Sequence, residues 1–180
     1  MWKSYRSGAY RTIVGAVLGL GLSPMVASAT TSARAVASVT PICTMAKLVI
    51  WLNTQGSRAA GSTYYNLEFT NFGGTCALQG YPGISAVNLS GHQIGAAATR
   101  DRVIAVRPIT LTRGMSAKAI VQIADTANYP ASFCRVTGAA GIRVFAPGAA
   151  TSKIVPFPFS ACLASGETYL HIEAAEPQGA

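Results

Sequence analysis

The feature that most constrains the fold is a series of short segments in which apolar and polar residues alternate. A period of two places every second side chain on the same face of a β-strand. The clearest apolar series are Tyr65, Leu67 and Phe69; Ala117, Ala119, Val121 and Ile123; Ile142 and Val144; and Leu170 and Ile172. Each segment therefore predicts a strand with one face in a hydrophobic core.

Five shorter apolar runs are further strand candidates. They lie at 49–52, 87–89, 104–106, 109–111 and 154–159. The last run contains Pro156 and Pro158, and proline cannot donate a hydrogen bond to a neighbouring strand. This run is therefore predicted to lie at the edge of a sheet.

Turn sequences separate the runs at short intervals. They contain glycine beside asparagine, proline, serine or arginine and lie at 71–74, 80–83, 90–92, 113–114, 146–148 and 165–166. No segment has helical periodicity over three turns. Short strands joined by such turns predict an all-β protein, specifically an antiparallel β-sandwich of the immunoglobulin-like kind. The sequence argues only weakly against a β-barrel.

The N-terminus has the pattern of a secretory signal peptide. Lys3, Arg6 and Arg11 precede an uncharged apolar run over 12–22. As a helix this run would reach about 16 Å, roughly half of a membrane's hydrocarbon core. The small residues at 27–29 predict cleavage after Ala29, with 33–35 as an alternative cleavage motif. The other interpretation of this segment is a buried N-terminal helix.

These boundaries divide the chain into four parts. Residues 1–29 are the predicted signal peptide, and 30–42 form a flexible leader rich in alanine, serine and threonine. The folded domain is expected over 43–174, followed by a loose tail over 175–180. No cysteine closely follows the apolar run, so no lipid anchor is predicted. Because the run is too short to span a membrane, no transmembrane anchor is predicted in the mature chain either.

The charge balance changes when the signal peptide is removed. The full chain has 14 Lys and Arg against 6 Asp and Glu, a net charge of +8. Without Lys3, Arg6 and Arg11, 11 basic groups remain against 6 acidic ones, a net charge of +5. Because half of the residues are hydrophobic and only 11% are charged, a disordered polar chain is excluded.

Four cysteines suggest disulfides, which persist in exported proteins. They are Cys43, Cys76, Cys134 and Cys162. None belongs to a CxxC motif, so the spacing does not predict a zinc or thioredoxin-like site. Four cysteines allow three pairings, and the spacing alone does not choose among them.

The segment 76–83, Cys-Ala-Leu-Gln-Gly-Tyr-Pro-Gly, resembles the signature of the domain-of-unknown-function 4232 family of exported actinobacterial proteins. Further similarities are Thr70 and Asn71 with 74–76; Leu111, Gly114 and Ala117; Val144 and Phe145 with Pro147 and Gly148; and the last two cysteines, Cys134 and Cys162. The resemblance covers about 43–174. It implies a secreted β-sandwich with two disulfides, favours the pairs Cys43–Cys76 and Cys134–Cys162, and implies no activity.

The residues show no recognisable catalytic constellation. GxSxG, HExxH and phosphate-loop motifs are absent from the sequence. His92 is expected to be solvated in a turn, and His171 to share a strand face with Glu173 as a surface contact rather than a catalytic dyad. A copper site would require Met45 and Met115 to converge with both histidines, so no metal or other cofactor is predicted. A non-enzymatic protein is expected, with an extracytoplasmic hydrolase as the alternative.

One basic segment suggests binding. It carries Arg100, Arg102, Arg107 and Arg113 with a single acid, Asp101, between them. If the segment is extended, its first two arginines share a face and offer planar donors to phosphate or carboxylate. The alternative is a solvated surface that maintains solubility.

The predicted compartment limits the classes of partner that such a segment can bind. Export and the lack of interleaved aromatic residues argue against nucleic acid. The predicted partner is an anionic polymer of the cell envelope or a lipid head group, or else a protein that adds a strand to a sheet edge.

Overall fold

The computed structural model describes residues 39–166 and 168–179. The predicted signal peptide, its cleavage site and most of the leader, over 1–38, lie outside the described residues. Within the described part, no helix is long and apolar enough to cross a membrane.

The described chain consists almost entirely of β-strands. The strands are β1 Leu48–Ala59, β2 Ser62–Asn71, β3 Cys76–Leu78, β4 Gly83–Val87, β5 Gln93–Ile94, β6 Thr99–Arg100, β7 Ile109–Leu111, β8 Ser116–Ala124, β9 Val136–Phe145, β10 Lys153–Cys162, β11 Leu170–Ile172 and β12 Glu176–Pro177. A 3-10 turn at Thr126–Asn128 and a short helix, α1 Ala131–Cys134, lie between β8 and β9.

Two sheets contain most of the strands. The first has the order β1-β2-β8-β11-β6, and β12 also pairs with β8. The second has the order β10-β9-β4-β5, and β3 and β7 form a separate pair. The named strands pair antiparallel except β6 with β11, which is parallel. The predicted all-β, antiparallel fold is therefore confirmed.

The two main sheets contribute to one hydrophobic core. Leu67 and Phe69 from the first sheet, and Ile142 and Val144 from the second, have no exposed surface and belong to one cluster. Burial of each such side chain stabilises the fold by about 1.5–3 kcal/mol. Two sheets around a shared core fit the immunoglobulin-like sandwich.

The alternation predicted the core face of β8, β9 and β11 correctly, whereas on β2 the polar Glu68, which lies between Leu67 and Phe69, is also buried. On β8 the inward residues are buried and the intervening ones are partly exposed, as expected of a strand covered on one side. The same holds on β11, where Leu170 and Ile172 are buried and His171 is partly exposed. Ile142 and Val144 repeat the pattern on β9 around Arg143.

The edge prediction for 154–159 is also confirmed. This run lies in β10, one of the two edge strands of the second sheet. Its pairing with β9 shifts register between Pro156 and Phe159. The neighbouring Lys153 donates a hydrogen bond from Nζ to the carbonyl of Leu48 on β1, at 2.6 Å.

Two of the short strand predictions are wrong. At 87–89 the strand ends at Val87, and Leu89 is 97% exposed. The side chain of Asn88 accepts hydrogen bonds from the backbone N–H groups of Ser90 and His92, which favours a turn over a strand. The run 104–106 has no strand partner because its neighbourhood is not buried: Val106 is exposed.

The end of the chain is more ordered than expected. Instead of a loose tail over 175–180, β12 pairs Glu176 with Lys118 and Pro177 with Ala117. Just before it, Ala175 is buried and donates its backbone N–H to the carbonyl of Gly80 at 2.9 Å. Ala174 and Ala175 are both buried, which the composition of this short segment did not indicate.

Both predicted disulfides are present. Cys43 bonds to Cys76 on β3, and Cys134 at the end of α1 bonds to Cys162 at the end of β10. All four residues are buried, and none of the described cysteines is free. Each loop closure stabilises the fold by nominally 3–4 kcal/mol in the chain-entropy model. The presence of two disulfides indicates an extracytoplasmic protein.

Candidate functional site

The four predicted anion-binding arginines are all exposed. Arg100 ends β6, and Arg102 and Arg107 follow in the irregular segment before β7. Arg113 lies in the turn between β7 and β8. None of the four forms an ion pair with another residue in the described ranges.

Sheet register separates the first of these arginines from the last. Arg100 pairs with Ile172 on β11, and Ile172 pairs with Val121 on β8. Arg113 precedes the first residue of β8, Ser116. Five residues of strand span roughly 17 Å, so the two backbone positions lie at different levels of the sheet.

The beginning of the segment is held by an aromatic contact. The guanidinium carbon of Arg100 lies 5.7 Å from the centroid of the Tyr81 ring, within the range of a cation–π interaction. Tyr81 belongs to the turn between β3 and β4. This contact connects the basic segment to the motif that carries the family resemblance.

Carboxylates lie close to the same end of the segment. Burial raises the pKa of Glu173, and the nearby negative charges of Asp101 and Glu176 raise it further. Glu176 also pairs with Lys118 at 3.4 Å. The sequence placed only Asp101 near the arginines, because Glu173 and Glu176 come from the distant C-terminal segment. The field of Arg100 and Arg102 is therefore partly offset.

The residues considered for catalysis or metal binding lie in ordinary structural settings. His92 is exposed in the 88–92 turn, and the His171 ring nitrogen Nε2 lies 3.1 Å from the Thr168 carbonyl oxygen. Met45 is buried, and its sulfur accepts a hydrogen bond from the Ala146 N–H at 3.4 Å. Over 39–166 and 168–179, no three His, Cys, Asp or Glu side chains group to hold a metal ion.

The structure forms a cleft of about 490 Å³ at one end of the sandwich, which the sequence patterns did not indicate. We call it the hairpin cleft. Three groups of residues line it: 58–63 and Tyr65 from the β1–β2 hairpin; 123–126 from the end of β8 and the 3-10 turn; and Phe157, Phe159 and Ser160 from β10. Both sheets therefore contribute to its walls.

The hairpin that forms one wall is closed by a two-residue turn. Ala60 and Gly61 have φ angles of 46° and 73°, as a type I′ turn requires. The carbonyl of Gly61 accepts hydrogen bonds from the Asp125 N–H and from Asn128 Nδ2, both at 2.8 Å. These bonds hold the hairpin tip against the 3-10 turn.

Three half-buried aromatic rings form the apolar part of the cleft. The centroids of Tyr65 and Phe157 are 4.9 Å apart with their planes at 69°, and those of Phe157 and Phe159 are 5.8 Å apart at 30°. A Cβ on Gly56 would lie 2.6 Å from the Tyr65 ring, so the backbone of β1 lies against that ring. Tyr65 is thus held between Gly56 and Phe157.

The rim of the cleft is polar and carries one charge of each sign. Arg58 and Asp125 are both exposed. Asp125 caps the 3-10 turn by accepting the Ala127 N–H on Oδ1 at 3.0 Å. The Ser62 hydroxyl accepts a hydrogen bond from Gln122 Nε2 at 3.0 Å and retains its own proton for donation. An aromatic floor with a few polar groups is typical of small-molecule binding sites.

Comparison with protein families gives a match over most of the described residues. A family model described as a domain of unknown function (DUF4232) matches residues 43–175. The matched range includes both disulfides and the strands β1 to β11. No curated protein and no solved structure matches the chain.

Proposed function

The chain belongs to the DUF4232 family, and from this premise we propose that it is a secreted, non-enzymatic binding module of the cell envelope or extracellular space. The two disulfides support an oxidising compartment outside the cytoplasm. In this proposal residues 1–29 direct export and are removed after Ala29. The mature chain then acts by contact with an envelope component.

The partner that we propose is an anionic polymer of the envelope. The observation that supports it is the exposure of all four arginines of the 100–113 segment, none ion-paired with a described residue. Guanidinium groups bind phosphate and carboxylate through paired N–H donors. Because carboxylates lie near Arg100 and Arg102, we assign the larger share of binding to Arg107 and Arg113.

The test is retention of the mature protein on immobilised poly(glycerol phosphate) over a series of salt concentrations. Contacts between arginines and phosphates weaken as salt rises. Arg107→Ala with Arg113→Ala should reduce the affinity by about tenfold or more, since a basic residue near an anionic surface contributes about 1 kcal/mol. Arg100→Ala with Arg102→Ala should reduce it less.

A charge-matched control separates a binding segment from general attraction. Lys47 and Arg135 are exposed and lie outside both the segment and the hairpin cleft, and replacing both with alanine removes the same charge. This control should retain nearly full affinity. Equal losses in the control and in the Arg107 and Arg113 variant, or no loss in either, would contradict the proposal.

A further inference from the structure

We propose that the hairpin cleft is a second binding site and that its ligand is a neutral saccharide. This inference goes beyond the proposed function, because the cleft contains none of the arginines of the 100–113 segment. Its volume of about 490 Å³ lies within the range of roughly 300–1,000 Å³ that is usual for small-ligand sites.

The walls of the cleft are held by contacts within the protein. Hydrogen bonds to the Gly61 carbonyl fix the hairpin wall, and the two prolines of β10 restrict the backbone on either side of Phe157. Tyr65 is held between Gly56 and Phe157. Ligand binding should therefore cost the protein little conformational entropy.

Both strands that border the cleft are irregular at this point. The pairing of β1 with β2 shifts register between Asn53 and Ser57, and that of β10 with β9 shifts between Pro156 and Phe159. Bulges redirect side chains and are enriched beside functional sites. Here they accompany the half-exposed Phe157 and Phe159 at the open end of the core.

The lining chemistry matches a sugar ring. The C–H face of a sugar packs on aromatic rings such as Phe157 and Tyr65, and its hydroxyl groups need donors and acceptors at the edge. Arg58, Asp125 and the hydroxyl of Ser160 supply both kinds at the rim. A purely apolar ligand would remove these groups from water without replacing their hydrogen bonds, at a cost in free energy.

The charges of the rim favour a neutral ligand over a polyanion. The positive charge of Arg58 is accompanied by the negative charge of Asp125, and the two side chains do not form an ion pair with each other in the described structure. Arg58 is therefore available to sugar hydroxyl groups, as is the Asp125 oxygen Oδ2, since only Oδ1 accepts the Ala127 N–H. A polyanion would gain from Arg58 and be repelled by Asp125.

The test is calorimetric titration of the mature protein with three neutral probes: cellohexaose, chitohexaose and mannohexaose. At least one should bind, with an affinity that changes little with salt. Phe157→Ala should weaken binding at least tenfold by removing a stacking surface. Arg58→Ala should weaken it severalfold, and because Arg58 is exposed this variant should keep its fold.

Two controls keep this inference separate from the arginine segment and from general effects. Phe133 is an exposed phenylalanine on α1, outside the cleft, and Phe133→Ala should leave saccharide affinity unchanged. The Arg107→Ala, Arg113→Ala variant should also bind saccharide normally.

Three results would overturn the saccharide assignment. They are no binding of any of the three probes by the unaltered mature protein, saccharide affinity in Phe157→Ala and Arg58→Ala equal to that of the unaltered protein, and binding of the hydrophobic, anionic dye anilinonaphthalene sulfonate in the cleft without any saccharide binding.

Discussion

Asn71 joins two turns through a side chain that has no exposed surface. Its Nδ2 donates to the carbonyls of Gly74 and Leu111, both at 2.9 Å, and its Oδ1 accepts the Gly73 N–H at 2.8 Å. Its backbone carbonyl also accepts the Gly114 N–H at 2.7 Å. These hydrogen bonds give a structural role to Asn71, Leu111 and Gly114, which are three of the positions that carry the family resemblance.

Replacement of Asn71 with alanine should destabilise the protein strongly. The variant loses three side-chain hydrogen bonds and leaves their backbone partners unsatisfied, so the free energy of unfolding should fall by about 3 kcal/mol. Urea denaturation measures this loss. Asn88→Ala is the matched control, because Asn88 also accepts two backbone N–H groups but lies in an exposed turn. Equal losses in the two variants would contradict the role of Asn71.

Glu173 is a carboxyl group whose surroundings oppose its ionisation. Burial raises its pKa above the ordinary value of 4.5, and Asp101 and Glu176 add to the effect. Because the folded-state pKa exceeds the unfolded one, the folded protein binds this proton more tightly. The associated stabilisation is present at acidic pH and is lost as the pH rises through the folded pKa.

Glu173→Gln should therefore stabilise the protein at neutral pH. Glutamine resembles the protonated carboxyl group and is not repelled by Asp101 or Glu176. Chemical denaturation at pH 7 should give a higher free energy of unfolding for the variant, and the difference should disappear well below pH 4.5, the ordinary pKa. A variant that is less stable at neutral pH, or equally stabilised at both pH values, would contradict this explanation.

Among the elements, β8 was predictable because one of its faces lies wholly in the core. By contrast, the apolar run 49–52 predicts only the first part of β1, which continues to Ala59 through exposed residues. Neither face of that continuation is buried, so no hydrophobic alternation marks it. β5 and β12 have two residues each, too few for a periodic pattern, and depend on their partners β4 and β8.

The turn of the β1–β2 hairpin was also hard to predict. Its central residues are Ala60 and Gly61, whereas the sequences most typical of a type I′ turn are Asn-Gly and Asp-Gly. Alanine has no side-chain oxygen to support a positive φ, so the pair carries little turn signal. Contacts of Gly61 with Asp125 and Asn128 hold the turn instead.

At the scale of the whole molecule, the sequence predicts a functional surface only when its residues are contiguous. The arginines of the 100–113 segment are close in sequence and could be identified directly. The hairpin cleft combines residues near positions 60, 125 and 158, which come together only through the pairing of β2 with β8 and the position of β10. No local sequence pattern predicts that these three regions converge.

The maturation of the whole chain provides the last prediction. If residues 1–29 direct export, the secreted protein should begin at Thr30 and carry both disulfides, because all four cysteines lie after the cleavage site and are paired. Intact-mass measurement and thiol titration of the denatured, unreduced protein should give that N-terminus and no free thiol, and reduction should release four.

A double variant with Cys134→Ser and Cys162→Ser serves as the matched control. It should show no free thiol before reduction and two after it, and its unfolding free energy should fall by about 3–4 kcal/mol because the loop is no longer closed. Free thiols in the unaltered secreted protein would contradict the compartment, whereas a different N-terminus would contradict only the cleavage site. The two parts of the export hypothesis can therefore fail separately.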